Sequence, residues 1–345
     1  MRYGRGVMRR TLAVAFTLSA TVAAAQEGSQ PLVLHGFGSA GYGKNGTDNN
    51  HYDSSDPRGD YRHAIFSLSV AAAPMERLRI RGQVMHVETD EEGEPVAELD
   101  FAFGEWRFSD ALRLRAGQIQ QPFGIYNEIF DVGTLRPFSF LPKGIYDSGI
   151  LAEGLNGVGV AGSRRIGSGW GLQYDVYLGG LQVEDEPLNE TIGGRVVLET
   201  PVTGLSFGAS GYSGSAEDSR HSVLGAHGEY LAGAWSMRAE YVHAWLHGDV
   251  KVDTAYAEVA RRLGGNLQAA ARYDWSEQSH PDMARTSADE HKDVGLGMNY
   301  WFSPNFVTKL SYHHVDGNLF AGPEDGSPAL ESTTDAVFVT AQLSF

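Results

Sequence analysis

Arginines take alternate positions in two short stretches of this chain. Arg77, Arg79 and Arg81 are separated by Leu78 and Ile80, and Arg113 and Arg115 alternate with Leu112 and Leu114. At a two-residue period each set shares one face of an extended strand. Rows of guanidinium groups are suited to carboxylate and phosphate oxygens. Glu98 and Asp100 lie between the two sets, so structural ion pairing is the competing reading. A second candidate is the stretch 121–153, far longer than an ordinary connection, and such stretches are usually functional. It carries Glu128, Asp131, Arg136, Lys143, Asp147 and Glu153 among many apolar residues, including Phe123, Tyr126, Phe138, Ile145 and Tyr146. Apolar residues that can pack on a wall, with charges of both signs left over, would make a passage that orients polar solutes. Arg79, Arg81, Arg113 and Arg115 are the candidates for a basic wall facing it.

Other chemistries find little support. The absence of cysteine removes disulfides, thiolate zinc clusters and a thiol nucleophile. Neither GxSxG nor HExxH occurs. Residues 36–41 spell GxGxxG, but an acidic stretch follows instead of the helix a dinucleotide site needs. His313 and His314 point to opposite faces of a strand. His243 with Asp249 is a pair that a rim-sited hydrolase could use, which keeps a barrel enzyme of protease or lipase type as an alternative, beside a non-conducting structural barrel. The acidic stretches 44–60 (Asp48, Asp53, Asp56, Asp60) and 89–94 (Asp90, Glu91, Glu92, Glu94) read as solvated rims. Divalent cations bridging lipopolysaccharide there are the alternative, without EF-hand spacing. No cofactor or fixed metal is expected.

The 345 residues carry 27 basic and 43 acidic side chains, a formal charge of −16. That balance excludes a nucleic-acid binder, which needs a basic surface. Arg2, Arg5, Arg9 and Arg10 precede an apolar run, 12–22, and the small residues Ala23, Ala24 and Ala25. This is the pattern of a cleaved secretory signal peptide over 1–25. Its removal takes away four arginines and no acid, leaving 23 basic against 43 acidic side chains and a net charge of −20.

The elements that position these residues are strands. Period-2 runs cover 32–43, 61–73, 77–88, 95–107, 111–120, 154–165, 169–180, 190–200, 204–213, 221–231, 234–246, 250–262, 265–276, 290–302, 305–315 and 334–345. Tight turns alternate with polar loops at 44–60, 89–94, 121–153, 181–189, 214–220, 247–249, 277–289 and 316–333. Sixteen strands of this length with alternating short and long connections predict an all-β fold, a transmembrane antiparallel β-barrel occupying 26–345. Within 265–276, Leu267, Ala269, Ala271, Tyr273 and Trp275 oppose Gln268, Arg272 and Asp274. Charges opposite continuous apolar faces favour a wet lumen inside and lipid outside.

The last strand alternates Val337, Val339, Ala341, Leu343 and Phe345 with Ala336, Phe338, Thr340, Gln342 and Ser344. A final amphipathic strand ending in Phe345 resembles the assembly signal of bacterial outer-membrane proteins. The whole chain resembles a Gram-negative outer-membrane porin, nearest to the phosphate-selective porin O and P type, most clearly over residues 99–142. The resemblance implies a passive channel for small hydrophilic or ionic solutes in the outer membrane, in contact with lipid and lipopolysaccharide and assembled as a homotrimer. It also implies that the third external loop, here 121–153, folds into the lumen.

Overall fold

The computed structural model describes residues 32–49, 51–52, 57–61, 64–87, 96–130, 132–183, 186–216, 219–281, 283–284, 286–321 and 330–345. The signal-peptide region, Asp131, the acidic stretch 89–94, Asp53 and Asp56 lie outside these residues. Sixteen strands are described. They are β1 (Val33–Asn45), β2 (Ala64–Met75), β3 (Leu78–Val87), β4 (Val96–Ser109), β5 (Leu112–Gln120), β6 (Gly154–Ile166), β7 (Trp170–Val183) and β8 (Glu186–Glu199). The second half comprises β9 (Leu205–Ser215), β10 (Arg220–Ala232), β11 (Trp235–Trp245), β12 (Lys251–Gly264), β13 (Leu267–Ser279), β14 (Glu290–Ser303), β15 (Phe306–Asp316) and β16 (Thr333–Ser344).

Every strand pairs antiparallel with its sequence neighbours, and β1 pairs with β16 from Phe37↔Ser344 to Asn45↔Ala336, so the sheet closes. Closure leaves no unpaired edge, which hydrocarbon would not tolerate. All sixteen expected strands are present. GxGxxG at 36–41 is part of β1.

Which face is outside is now settled. Leu178, Phe207, Leu224 and Leu296 are half exposed, whereas Glu240, Asp274 and Asp293 on opposite faces of the same wall are buried. A soluble barrel would reverse this. An apolar exterior over a polar interior belongs in lipid, and this is the architecture of a bacterial outer-membrane barrel. Aromatic side chains band both ends of the exterior. Trp106, Phe108, Trp170, Trp235 and Phe302 lie near the short turns, and Tyr241, Trp245 and Tyr312 near the long connections.

The alternation of long and short connections is less strict than the sequence suggests. β7 runs to Val183 and β8 starts at Glu186, so the polar stretch 181–189 is mostly strand, not loop. Pairing of β7 with β8 continues through Leu181↔Leu188 and Val183↔Glu186 after a register shift at Gly179/Leu181, and β8 shifts against β9 at Asn189/Ile192, around Glu190 at φ 48°. Polar composition misleads here because a strand that projects beyond the membrane gains nothing from apolar outward residues.

Phe345 completes the closure. Its N–H donates to the Gly36 carbonyl at 2.9 Å and its own carbonyl accepts from the Gly36 N–H at 3.0 Å. The ring is 54% exposed and lies where a Gly36 side chain would be, on the same exterior face as Val339 and Leu343. Deleting Phe345 is therefore expected to lower the yield of heat-modifiable, folded barrel on a semi-native gel. Normal yield from the deletion would place the closing contact elsewhere.

Candidate functional site: the lumen

The described residues of the connection 121–153 are bonded to inward-facing side chains of the wall from β8 to β16. Tyr146 donates from its hydroxyl to Glu240 on β11, and Tyr256 of β12 donates to the same carboxylate at 2.6 Å. The Tyr126 hydroxyl donates to Glu258 at 2.6 Å, and the Lys143 backbone N–H donates to Asp274 at 2.6 Å. Arg272 reaches the Phe140 carbonyl at 2.7 Å, and Asn299 reaches the Pro137 carbonyl at 2.8 Å. Burial, and then the facing Glu258 and Glu240 carboxylates, hold the Tyr126 and Tyr146 phenols well above their ordinary range, so both remain donors.

Lys309 of β15 is 1% exposed and makes no ion pair among the described residues. Its ammonium donates to the carbonyls of Gly133 (2.6 Å), Arg136 (2.7 Å) and Phe138 (3.3 Å). Three donors meet three acceptors. The loop also needs glycine where it touches the wall. A Cβ on Gly144, within the one-turn helix α1 (Lys143–Tyr146), would collide with the Ser276 and Thr254 hydroxyls. Phe123, Tyr126, Ile145, Tyr146 and Ile150 fill an apolar cluster against Val223, Val242 and Tyr256.

On the opposite side, the β3–β5 wall faces open lumen. Arg79, Arg81, Arg113 and Arg115 share the inner face with Glu105, since Arg79↔Glu105 and Glu105↔Arg115 are directly cross-strand. The acid that pairs is Glu105, with Arg115 at 2.9 Å and Arg113 at 3.9 Å. Glu98 and Asp100 do not take that part, Asp100 accepting instead from Gln83 at 2.6 Å. Arg115 also meets Asp175 at 3.3 Å and Glu128 of the loop at 4.0 Å, and Arg195 of β8 pairs with Glu128 and Asp175. Arg79 and Arg81 are exposed to the lumen and carry no ion pair among the described residues.

The structure therefore divides the predicted loop charges. Glu128 joins the arginine wall. Lys143 is 7% exposed and held by Asp147 at 2.6 Å, so it faces protein, not water. Arg136 is half-buried and donates to the Phe130 carbonyl at 2.7 Å. Asp147 and Glu153 are exposed where the loop leaves the wall. The rim pair is His243 with Asp253 at 2.7 Å, not with Asp249. Sequence reasoning missed Arg195, Lys309 and the buried carboxylates Glu240, Glu258, Asp274 and Asp293. Their signal was available as one acid on the inner face of each of four consecutive strands.

His51 and Tyr52, on a second connection, 46–63, are also buried against the inner wall. Tyr52 donates to Asp293 at 2.6 Å, and His51, 1% exposed, has neither ring nitrogen hydrogen-bonded. Burial, then the Lys143 charge, push His51 down to about 4 against the pull of Asp293. Folded protein thus binds fewer protons than unfolded chain between about 4 and the ordinary 6.5. The packing of His51 is fully stabilising above that window, weakens as pH falls through it, and is lost below. Hydrogen exchange of residues 46–61, corrected for intrinsic rate, is expected to quicken as pH falls from 6.5 to 4 and to stay flat in His51→Phe. A flat wild-type profile would reject the assignment.

No protein-family model matches the chain, and no curated protein does. Solved structures do. OmpF of Salmonella typhi in complex with daunomycin aligns at 15% identity and TM-score 0.66, covering 91% of this chain and 97% of its own. An anion-selective porin from Comamonas acidovorans aligns at 13% identity and TM-score 0.61, covering 91% of this chain and 99% of its own. OmpT, an outer-membrane protein of Vibrio cholerae in its trimer form, aligns at 13% and 0.61, covering 92% and 100%. Likeness at this identity concerns the fold.

Proposed function

We propose that the chain is an outer-membrane porin, a passive water-filled channel for small hydrophilic solutes that favours anions. The reading is carried by one observation. Arg79 and Arg81 stand in open lumen with no ion pair among the described residues, while the loop acid Glu128 is taken up by Arg195 and Arg115. Fixed charge in a confined passage selects the opposite ion. The net −20 of the mature chain does not oppose this, since Glu240, Glu258, Asp274 and Asp293 are already bonded to residues of the inward connections. The anion-selective porin among the structural neighbours supports the same reading, and the trimer form of another supports assembly as a homotrimer. Outer-membrane lipid and lipopolysaccharide are the partners for the exterior. The test is the reversal potential of the purified channel in a planar bilayer under a KCl gradient. A potential on the chloride side supports the proposal, and one on the potassium side refutes it.

A further inference from the structure

At the short-turn mouth of the barrel, beneath residues 134–137 of the loop, lies a cavity of about 210 Å³. None of β1–β8 contributes to it, so it is separate from the arginine wall. Its charged lining is Arg136, Arg238 and Arg262, and among the described residues no carboxylate lines it. Arg238 is engaged, with Glu229 at 2.6 Å and the Tyr126 hydroxyl at 3.0 Å. Arg262 is exposed and has no ion pair among the described residues, its guanidinium lying 5.6 Å from the centre of the Trp301 ring. The Trp301 indole N–H, which can only donate, is buried without an acceptor. Gln268 has its carbonyl occupied by the Asn299 amide at 3.0 Å, so its NH₂ is what it can offer.

Unanswered donors thus converge from three neighbouring strands, β12, β13 and β14, and what is missing is a negatively charged acceptor. A planar guanidinium beside a single N–H suits a carboxylate, whose two oxygens can accept from both. Leu135, 51% exposed, adds an apolar wall. The volume is smaller than the ~300–1,000 Å³ of pockets for drug-sized ligands, which limits the occupant to about one ring. We propose that this cavity binds a small aromatic carboxylate, its oxygens taken by Arg262 and the Trp301 N–H and its ring resting on Leu135.

The site is testable without conduction. Full-length protein folded in detergent micelles is titrated with sodium benzoate in a calorimeter, with acetate and inorganic phosphate as comparators. Benzoate is expected to bind more tightly than either, Arg262→Gln to weaken it about tenfold or more, and Arg79→Gln to leave it unchanged. Arg262→Lys, which keeps the charge and loses the fork, should fall between, and it serves if the glutamine variant does not give heat-modifiable barrel. Equal benzoate affinity in wild type and folded Arg262 variants, or phosphate bound as tightly as benzoate, would overturn the proposal. Benzoate binding by a protein that conducts no ions would refute the channel reading and leave this site standing.

Discussion

Replacing Arg79 and Arg81 together by glutamate is expected, on the channel reading proposed above, to reverse the ion preference from anions to cations. At this level of the lumen Arg79, Arg81, Arg113, Arg115 and Arg195 face Glu105, Asp175 and Glu128. Five guanidiniums against three carboxylates become three against five. In a narrow passage the effective dielectric is nearer 20 than 80, so a unit charge at about 4 Å acts with ~4 kcal/mol instead of ~1. Since ~1.4 kcal/mol is a factor of ten, the reversal potential in a KCl gradient should change sign. Arg58→Glu, on the connection 46–63, makes the same kind of charge change at an exposed position, where the field is screened within about 8–10 Å. It should shift the potential little. Equal shifts from both variants would mean that the selectivity-determining charges lie elsewhere.

Lys309→Met is expected to give a wider and noisier pore. The substitution keeps the apolar stem and removes the ammonium, leaving the carbonyls of Gly133, Arg136 and Phe138 without their donor. Each dry carbonyl costs about 1–3 kcal/mol, so residues 133–138 should leave the wall to find water. Tyr126, Tyr146 and Lys143 hold the rest of the loop through Glu258, Glu240 and Asp274, so the barrel should still fold. Single-channel records should show higher mean conductance with fast fluctuations. A quiet channel of wild-type conductance would show that this tether does not set the width.

The wall of the barrel was readable because its signal repeats. In β13 and β14 every second residue is apolar over the whole membrane depth, and a charge such as Arg272 or Asp293 interrupts only the other face. The inward course of 121–153 was not readable in that way. Its aromatic residues say only that it must pack somewhere, and the expectation that it enters the lumen rested on a family resemblance. Lys309 shows the limit most clearly. A single lysine between Thr308 and Leu310 looks like any lumenal charge, because the carbonyls that hold it are more than 170 residues away and carry no side-chain signature. Lys143 failed in the opposite direction. It was counted as a pore charge because a loop lysine is normally wet, and here Asp147 and the Tyr52 ring enclose it.

The partners of the inward loop have a consequence for the order of assembly. Tyr126 is bonded to a residue 132 positions later, Ser139 to Thr340 201 positions later, and the carbonyls over Lys309 to a strand next to the last. Long-range contacts form late, because the intervening chain must be ordered first. Thr340 is on the strand that closes the cylinder. The loop cannot finish docking until β16 is in place, so its last contacts form with or after closure of the barrel. On the channel reading proposed above, a barrel stalled at closure would conduct before its passage had been narrowed.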